Sequence, residues 1–166
     1  MRIYLTGFMG CGKSSFGKRL AKKLDYPFVD LDEEIELIAD KKLEEIFDFE
    51  GEIAFRNIER EALFATTVHK NAVIATGGGT PCFKDNMDFM NAWGVTVYLR
   101  LSPLSIAHRL EQAKRVRPLV KGLKGDELLA FVKSKLAERE KWYLQSHCVI
   151  KGETVKPDQV ISLVFG

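Results

Sequence analysis

Gly7-Phe8-Met9-Gly10-Cys11-Gly12-Lys13-Ser14 is the stretch that decides the fold of this 166-residue chain. It matches the pattern G-x-x-x-x-G-K-[ST]. A short apolar run, Ile3 to Thr6, precedes it. After it come Phe16, Leu20, Ala21 and Leu24, spaced as on one face of a helix over Lys13 to Leu24. Strand, glycine loop and helix in that order make a cradle for phosphate. The glycines let the backbone curl until its N–H groups face an anion. The helix that starts near Lys13 points its positive dipole end at the same place. Lys13 then reaches the β- and γ-phosphates, and the Ser14 hydroxyl ligates Mg²⁺ beside them. The motif specifies a nucleoside triphosphate and a metal, and it leaves the phosphate acceptor open.

Outward from this loop, short apolar runs alternate with helical patterns. Strands are expected at Ile3 to Thr6, Phe28 to Asp30, Ala72 to Thr76, Val95 to Leu101 and Cys148 to Ile150. Helices are expected at Asp32 to Ala39, at Gly51 to about Val68, from Ser102-Pro103 onward, over 126–145, and from Pro157 to Val164. Alternation of this kind indicates an α/β protein in three layers, with a five-stranded parallel sheet flanked by helices in the manner of a P-loop NTPase. No repeat, low-complexity tract or interdomain linker interrupts the pattern. A single domain over 1–166 is the expectation.

Composition narrows the function. Charged residues make up 29% and hydrophobic residues 46%, which argues against disorder. With 25 Lys+Arg against 23 Asp+Glu, nothing in the overall charge favours a nucleic-acid partner. Cys11, Cys82 and Cys148 are odd in number and have no zinc or redox spacing, so a reducing compartment fits. The N-terminus lacks the form of a signal peptide. No apolar run approaches the roughly 20 residues that span a bilayer. The expectation is a cytoplasmic protein with no membrane partner.

Further candidate residues lie where an open α/β sheet binds ligands, beyond the carboxyl ends of its strands. Asp30 and Asp32 flank Leu31 at the end of the second strand, and residues i and i+2 of a strand share a side. One carboxylate is suited to hold a metal through water and the other to accept a proton from an attacking hydroxyl. The plainer alternative is that one of them caps the following helix. Gly77-Gly78-Gly79 permits close approach of a ligand to backbone N–H groups, or is an ordinary turn. Arg56, Arg109 and Arg139, read singly, are solvated surface charges. Residues 112–125 carry Lys114, Arg115, Arg117, Lys121 and Lys124 without an acid. Gly122 and Gly125 loosen this segment and Pro118 breaks it, as suits a mobile lid over a nucleotide. A solvated basic loop is the alternative.

The ordered set of these pieces resembles the shikimate kinase family over essentially the whole chain. The set is Gly7–Ser14, Phe28-Val29-Asp30-Leu31-Asp32, Gly51 to Glu59 with Phe55-Arg56, Gly77-Gly78-Gly79, Arg117-Pro118-Leu119, and Arg139 with Tyr143 four residues on. Where relatives often carry Pro-Leu-Tyr, this chain has Lys141-Trp142-Tyr143. The resemblance implies ATP-dependent phosphorylation of the shikimate 3-hydroxyl on the route to chorismate, by a monomer. It implies ATP contacts from Gly10, Cys11, Gly12, Lys13, Ser14, Ser15, Arg109 and Arg117. Magnesium would be held by Ser14 and, through water, by Asp30. Shikimate would be held by Asp32, Phe47, Phe55, Arg56, Glu59, Gly77, Gly78, Gly79 and Arg139, within a helical region of about 32–60, and a separate lid of about 112–125 would close over ATP. Lys13, Asp32 and Arg117 would be catalytic. A kinase for another small metabolite, such as gluconate, is the rival enzyme reading. A nucleotide-binding module without turnover is the rival from a different class.

Overall fold

The computed structural model describes residues 1–166. Its five strands are β1 (Arg2–Thr6), β2 (Phe28–Asp30), β3 (Ala72–Ala75), β4 (Val95–Arg100) and β5 (Cys148–Lys151). All neighbours pair parallel, in the order β2-β3-β1-β4-β5. In register, Ile3 stands opposite Val73 on one side and Val95 on the other. The strands read as continuous apolar runs because both faces of a parallel sheet are covered.

The helices are α1 (Lys13–Leu24), α2 (Leu31–Ala39), α3 (Leu43–Phe49), α4 (Gly51–Ala65), α5 (Asn86–Trp93), α6 (Pro103–Gln112), α7 (Gly125–Tyr143) and α8 (Pro157–Phe165). Alternation along the strands divides them into two layers. Ile3, Leu5, Val73 and Val97 pack with Phe16, Leu20 and Val160 of α1 and α8. On the opposite face Tyr4, Ala72 and Ile74 pack with Ile35, Ile46, Leu63 and Met90 of α2 to α5. Ile3, Tyr4 and Leu5 are fully buried, and each such side chain stabilises the fold by about 1.5–3 kcal/mol through burial.

All five strands fall within one or two residues of their expected positions. The helix expected to reach Val68 stops at Ala65, and its last part, Thr66–Val68, tightens into a 3₁₀ turn. α3 and α5 have no counterpart among the expected helices. They have only seven and eight residues, too few to show a clear 3.6-residue period.

The topology positions the site. β3 and β4 lie on opposite sides of β1, so the chain leaves β1 at a point where the sheet order diverges. The loop that leaves there is Gly7–Gly12, and ligand crevices in open sheets form at such switch points.

Candidate active site

The phosphate loop has the backbone its motif requires. Gly12 adopts φ 88°, a left-handed conformation costly for other residues, and α1 starts at the next residue. Lys13 is buried, and its Nζ donates to the carbonyls of Gly7 at 2.7 Å and Phe8 at 3.0 Å. Burial lowers the pKa of its ammonium group.

Beside the loop the Ser14 hydroxyl donates to Asp30 Oδ2 at 2.8 Å. The other Asp30 oxygen accepts from the Asp32 N–H at 3.0 Å, which makes Asp30 the N-cap of α2. The acid that caps the helix is therefore Asp30, and Asp32 is left to face the crevice. Asp32 lies in the first turn of α2, and its carboxylate pairs with Arg117 from the basic segment. The resemblance implies an ATP contact for Arg117; in this structure its guanidinium pairs with the largely buried Asp32 carboxylate across the crevice, where opposite charges attract strongly. Arg115 makes a similar ion pair with Glu36, so this segment is tied down over α2 at two points.

Across from Asp32, α4 and α7 bring two arginines together. Arg56 and Arg139 are 9% and 5% exposed, so neither is the solvated charge that a lone helical arginine suggests. Arg56 Nη1 pairs with Glu59 Oε1 at 2.8 Å, and Glu59 Oε2 accepts from the Thr80 hydroxyl at 2.9 Å. Burial raises the Glu59 carboxyl above its usual range, while Arg56 opposes that shift. Arg139 differs: its Nη1 is buried and has no hydrogen-bond partner in the chain. An unmet buried donor costs about 1–3 kcal/mol, and more when charged, so this nitrogen is poised for an anion.

Gly77, Gly78 and Gly79 lie between the two arginines. A Cβ on Gly79 would sit 2.2 Å from Arg56 Nη2, and one on Gly78 would sit 3.2 Å from Arg139 Nη1. At Gly79 only a glycine lets the Arg56 guanidinium lie this close to the backbone, and at Gly78 a side chain would crowd Arg139. None of the backbone hydrogen bonds outside helices and strands is donated by these three residues.

Phe47 and Phe55 pack with tilted rings, centroids 4.4 Å apart, and form the apolar wall. Asp32, Phe47, Phe55, Arg56, Glu59, the three glycines, Arg117 and Arg139 thus line one cavity of about 60 Å³. Leu43 and Thr80 belong to the same surroundings, and sequence reasoning did not single them out. Arg109 and Ser15 lie elsewhere, along a second cavity of about 210 Å³ behind Cys11 and Gly12. There Arg109 donates to the Glu153 carbonyl at 3.0 Å. A larger open cleft of about 580 Å³, between α7 and the ends of β4 and β5, contains none of the phosphate loop.

The arrangement has one end for a triphosphate, one for an anion and a carboxylate between them. That suits transfer of a phosphoryl group to a hydroxyl on a small acid. Comparison with known proteins agrees. The family model described as shikimate kinase matches residues 9–165. A shikimate kinase from Bacteroides thetaiotaomicron is 43% identical over 156 residues, which cover 94% of this chain and 89% of that relative. A solved shikimate kinase structure from the same organism superposes with a TM-score of 0.94 at 39% identity, covering 100% of this chain and 99% of that one. A solved shikimate kinase from Acinetobacter baumannii in complex with shikimate gives a TM-score of 0.87 at 31% identity, covering 99% and 90%.

Proposed function

This chain belongs to the shikimate kinase family, and on that premise we propose how its residues divide the work of the reaction. The enzyme transfers the γ-phosphoryl group of ATP to the 3-hydroxyl of shikimate, giving shikimate 3-phosphate and ADP in aromatic biosynthesis. The observation that carries the residue-level reading is the buried, unpartnered Nη1 of Arg139 in the same cavity as the Asp32 carboxylate.

On this reading the shikimate carboxylate takes the end of the cavity lined by Arg56, Arg139 and the Gly77–Gly79 amides. Two planar guanidinium forks suit a carboxylate. Phe47 and Phe55 cover the ring, and Glu59 holds Arg56 in place. The hydroxyl end falls to Asp32, which orients the nucleophile and accepts its proton. The phosphates lie on Gly10, Cys11 and Gly12, with Lys13 at the transferring group and Ser15 and Arg109 toward the nucleoside. Ser14 and Asp30 present oxygens side by side, the hard donor set that Mg²⁺ prefers, with Asp30 acting through water. When bound there, the ion neutralises charge on the phosphate oxygens. Lys13 and Arg117 stabilise the charge that develops in the transition state, and the proton leaves for Asp32 late if that state is loose.

The basic segment, residues 112–125, acts as a lid over the acceptor region of about 32–60. Arg117, Pro118 and Leu119 of the segment line the same cavity as Asp32 and Arg139. The lid therefore draws back to admit shikimate, and Arg117 exchanges the Asp32 carboxylate for phosphate. A cytoplasmic monomer without a nucleic-acid or membrane partner is part of the same reading. Its supports are the three free cysteines and the near balance of 25 basic and 23 acidic residues.

Two substitutions test the acceptor end. Arg56→Ala would strand the buried Glu59 and mix stability with binding. Arg139→Ala leaves no such partner behind, because its Nη1 has none. It is expected to raise the shikimate KM by about 10²-fold, the worth of a charged hydrogen-bonded contact, with the ATP KM within about twofold. An unchanged shikimate KM in steady-state kinetics removes Arg139 from the carboxylate site. Gly79→Ala is expected to raise the same KM at least about tenfold, because its methyl group would displace the Arg56 guanidinium. Wild-type kinetics would show that Arg56 need not lie against Gly79.

A further inference from the structure

We infer that Tyr143 is a positioning residue for the substrate carboxylate, acting by clamping the Gly78 carbonyl and so aiming the glycine-loop amides. The inference rests on the carboxylate reading proposed above.

Tyr143 is the last residue of α7, one turn beyond Arg139, so both side chains emerge on the same face of the helix. It is fully buried, and its ring packs on Tyr98 with centroids 5.1 Å apart. Its hydroxyl donates to the carbonyl oxygen of Gly78, across 65 positions of sequence. Burial also raises the pKa of the phenol, so it remains a donor across the working pH range.

The contact has a geometric consequence. In a trans peptide the C=O of one residue and the N–H of the next lie antiparallel in a single plane. Holding the Gly78 oxygen therefore fixes the direction of the Gly79 N–H and turns it away from Tyr143. A glycine run gives that plane little restraint of its own. The same loop lies against both guanidinium groups, with Gly79 under Arg56 and Gly78 beside Arg139. Helix α7 thus delivers two devices from one turn: Arg139 supplies charge and Tyr143 sets the amides that work beside it. Tyr98 is anchored separately, since its hydroxyl donates to Glu140, which pairs with Arg100 at 2.8 Å.

The test compares shikimate with its carboxamide in wild type, Tyr143→Phe and Tyr98→Phe. Tyr143→Phe keeps the ring packing and removes only the hydroxyl, and a thermal melt checks that the fold is retained. Wild type should prefer the acid to the amide by about 10²-fold in KM. Tyr143→Phe should raise the shikimate KM about tenfold and the carboxamide KM less than twofold, with the ATP KM unchanged. Tyr98→Phe, which removes a hydroxyl from the same aromatic pair, should leave the acid-to-amide ratio as in wild type. An unchanged shikimate KM in Tyr143→Phe, or an equal rise for acid and amide, overturns the inference and leaves the hydroxyl a packing role. If wild type itself fails to distinguish acid from amide, the carboxylate reading fails and this inference falls with it.

Discussion

Lys13→Met is expected to lower kcat by about 10³-fold or more while the protein stays folded. On the proposed reading Lys13 lies at the transferring phosphoryl group, and the residue is buried, where a charge is poorly solvated. In this structure its ammonium is held by the Gly7 and Phe8 carbonyls, so it already lies inside the loop. Methionine has nearly the same length and fills the same space without charge. The loss of its hydrogen bonds to the Gly7 and Phe8 carbonyls and the Cys11 sulfur is offset in part by removing a desolvated charge, whose pKa burial already depresses. The melting temperature should therefore move by only a few degrees, about what 1 kcal/mol produces in a domain of this size. ADP release and a thermal melt on the same preparation check both halves. Turnover within tenfold of wild type would remove Lys13 from the transition state.

Asp32→Asn is expected to lower kcat by about 10²–10³-fold. Asparagine keeps the shape and can still hydrogen-bond a substrate hydroxyl. It cannot accept the proton, and it no longer pairs with Arg117. The shikimate KM should change less than kcat, because on the proposed reading the carboxylate acts mainly through an interaction that strengthens as the hydroxyl is deprotonated. A change confined to KM would make Asp32 a binding group only. The opposite control is Asp30, whose oxygens are committed to Ser14 and to the end of α2. Its loss should weaken metal dependence and the helix start together.

Much of this site is local in sequence and was therefore legible there. The phosphate loop is eight consecutive residues whose types are dictated by backbone curvature and anion binding, and strand and helix follow on either side. Arg56 and Glu59 are three apart on one helix, so their pairing is built into α4. Two things were not legible. The division of labour between Asp30 and Asp32 depends on which of them caps α2, a matter of backbone angle at one residue. The second is contact across the fold. Arg117 meets Asp32 from 85 positions away, and Tyr143 meets Gly78 from 65. No periodicity reports such a meeting. The spacing of Arg139 and Tyr143 marked the tyrosine as a member of the pattern without showing what it touches. α3 and α5 escaped for a simpler reason, since helices of two turns leave too little period to read.

The most direct test of the account is ADP release with ATP and Mg²⁺, measured with shikimate, with gluconate and with no acceptor. The cavity, with Asp32 at one end and Arg139 and Arg56 at the other, predicts rapid release with shikimate and only background release in the other two. Turnover with gluconate equal to that with shikimate, or release that ignores the acceptor, would contradict it.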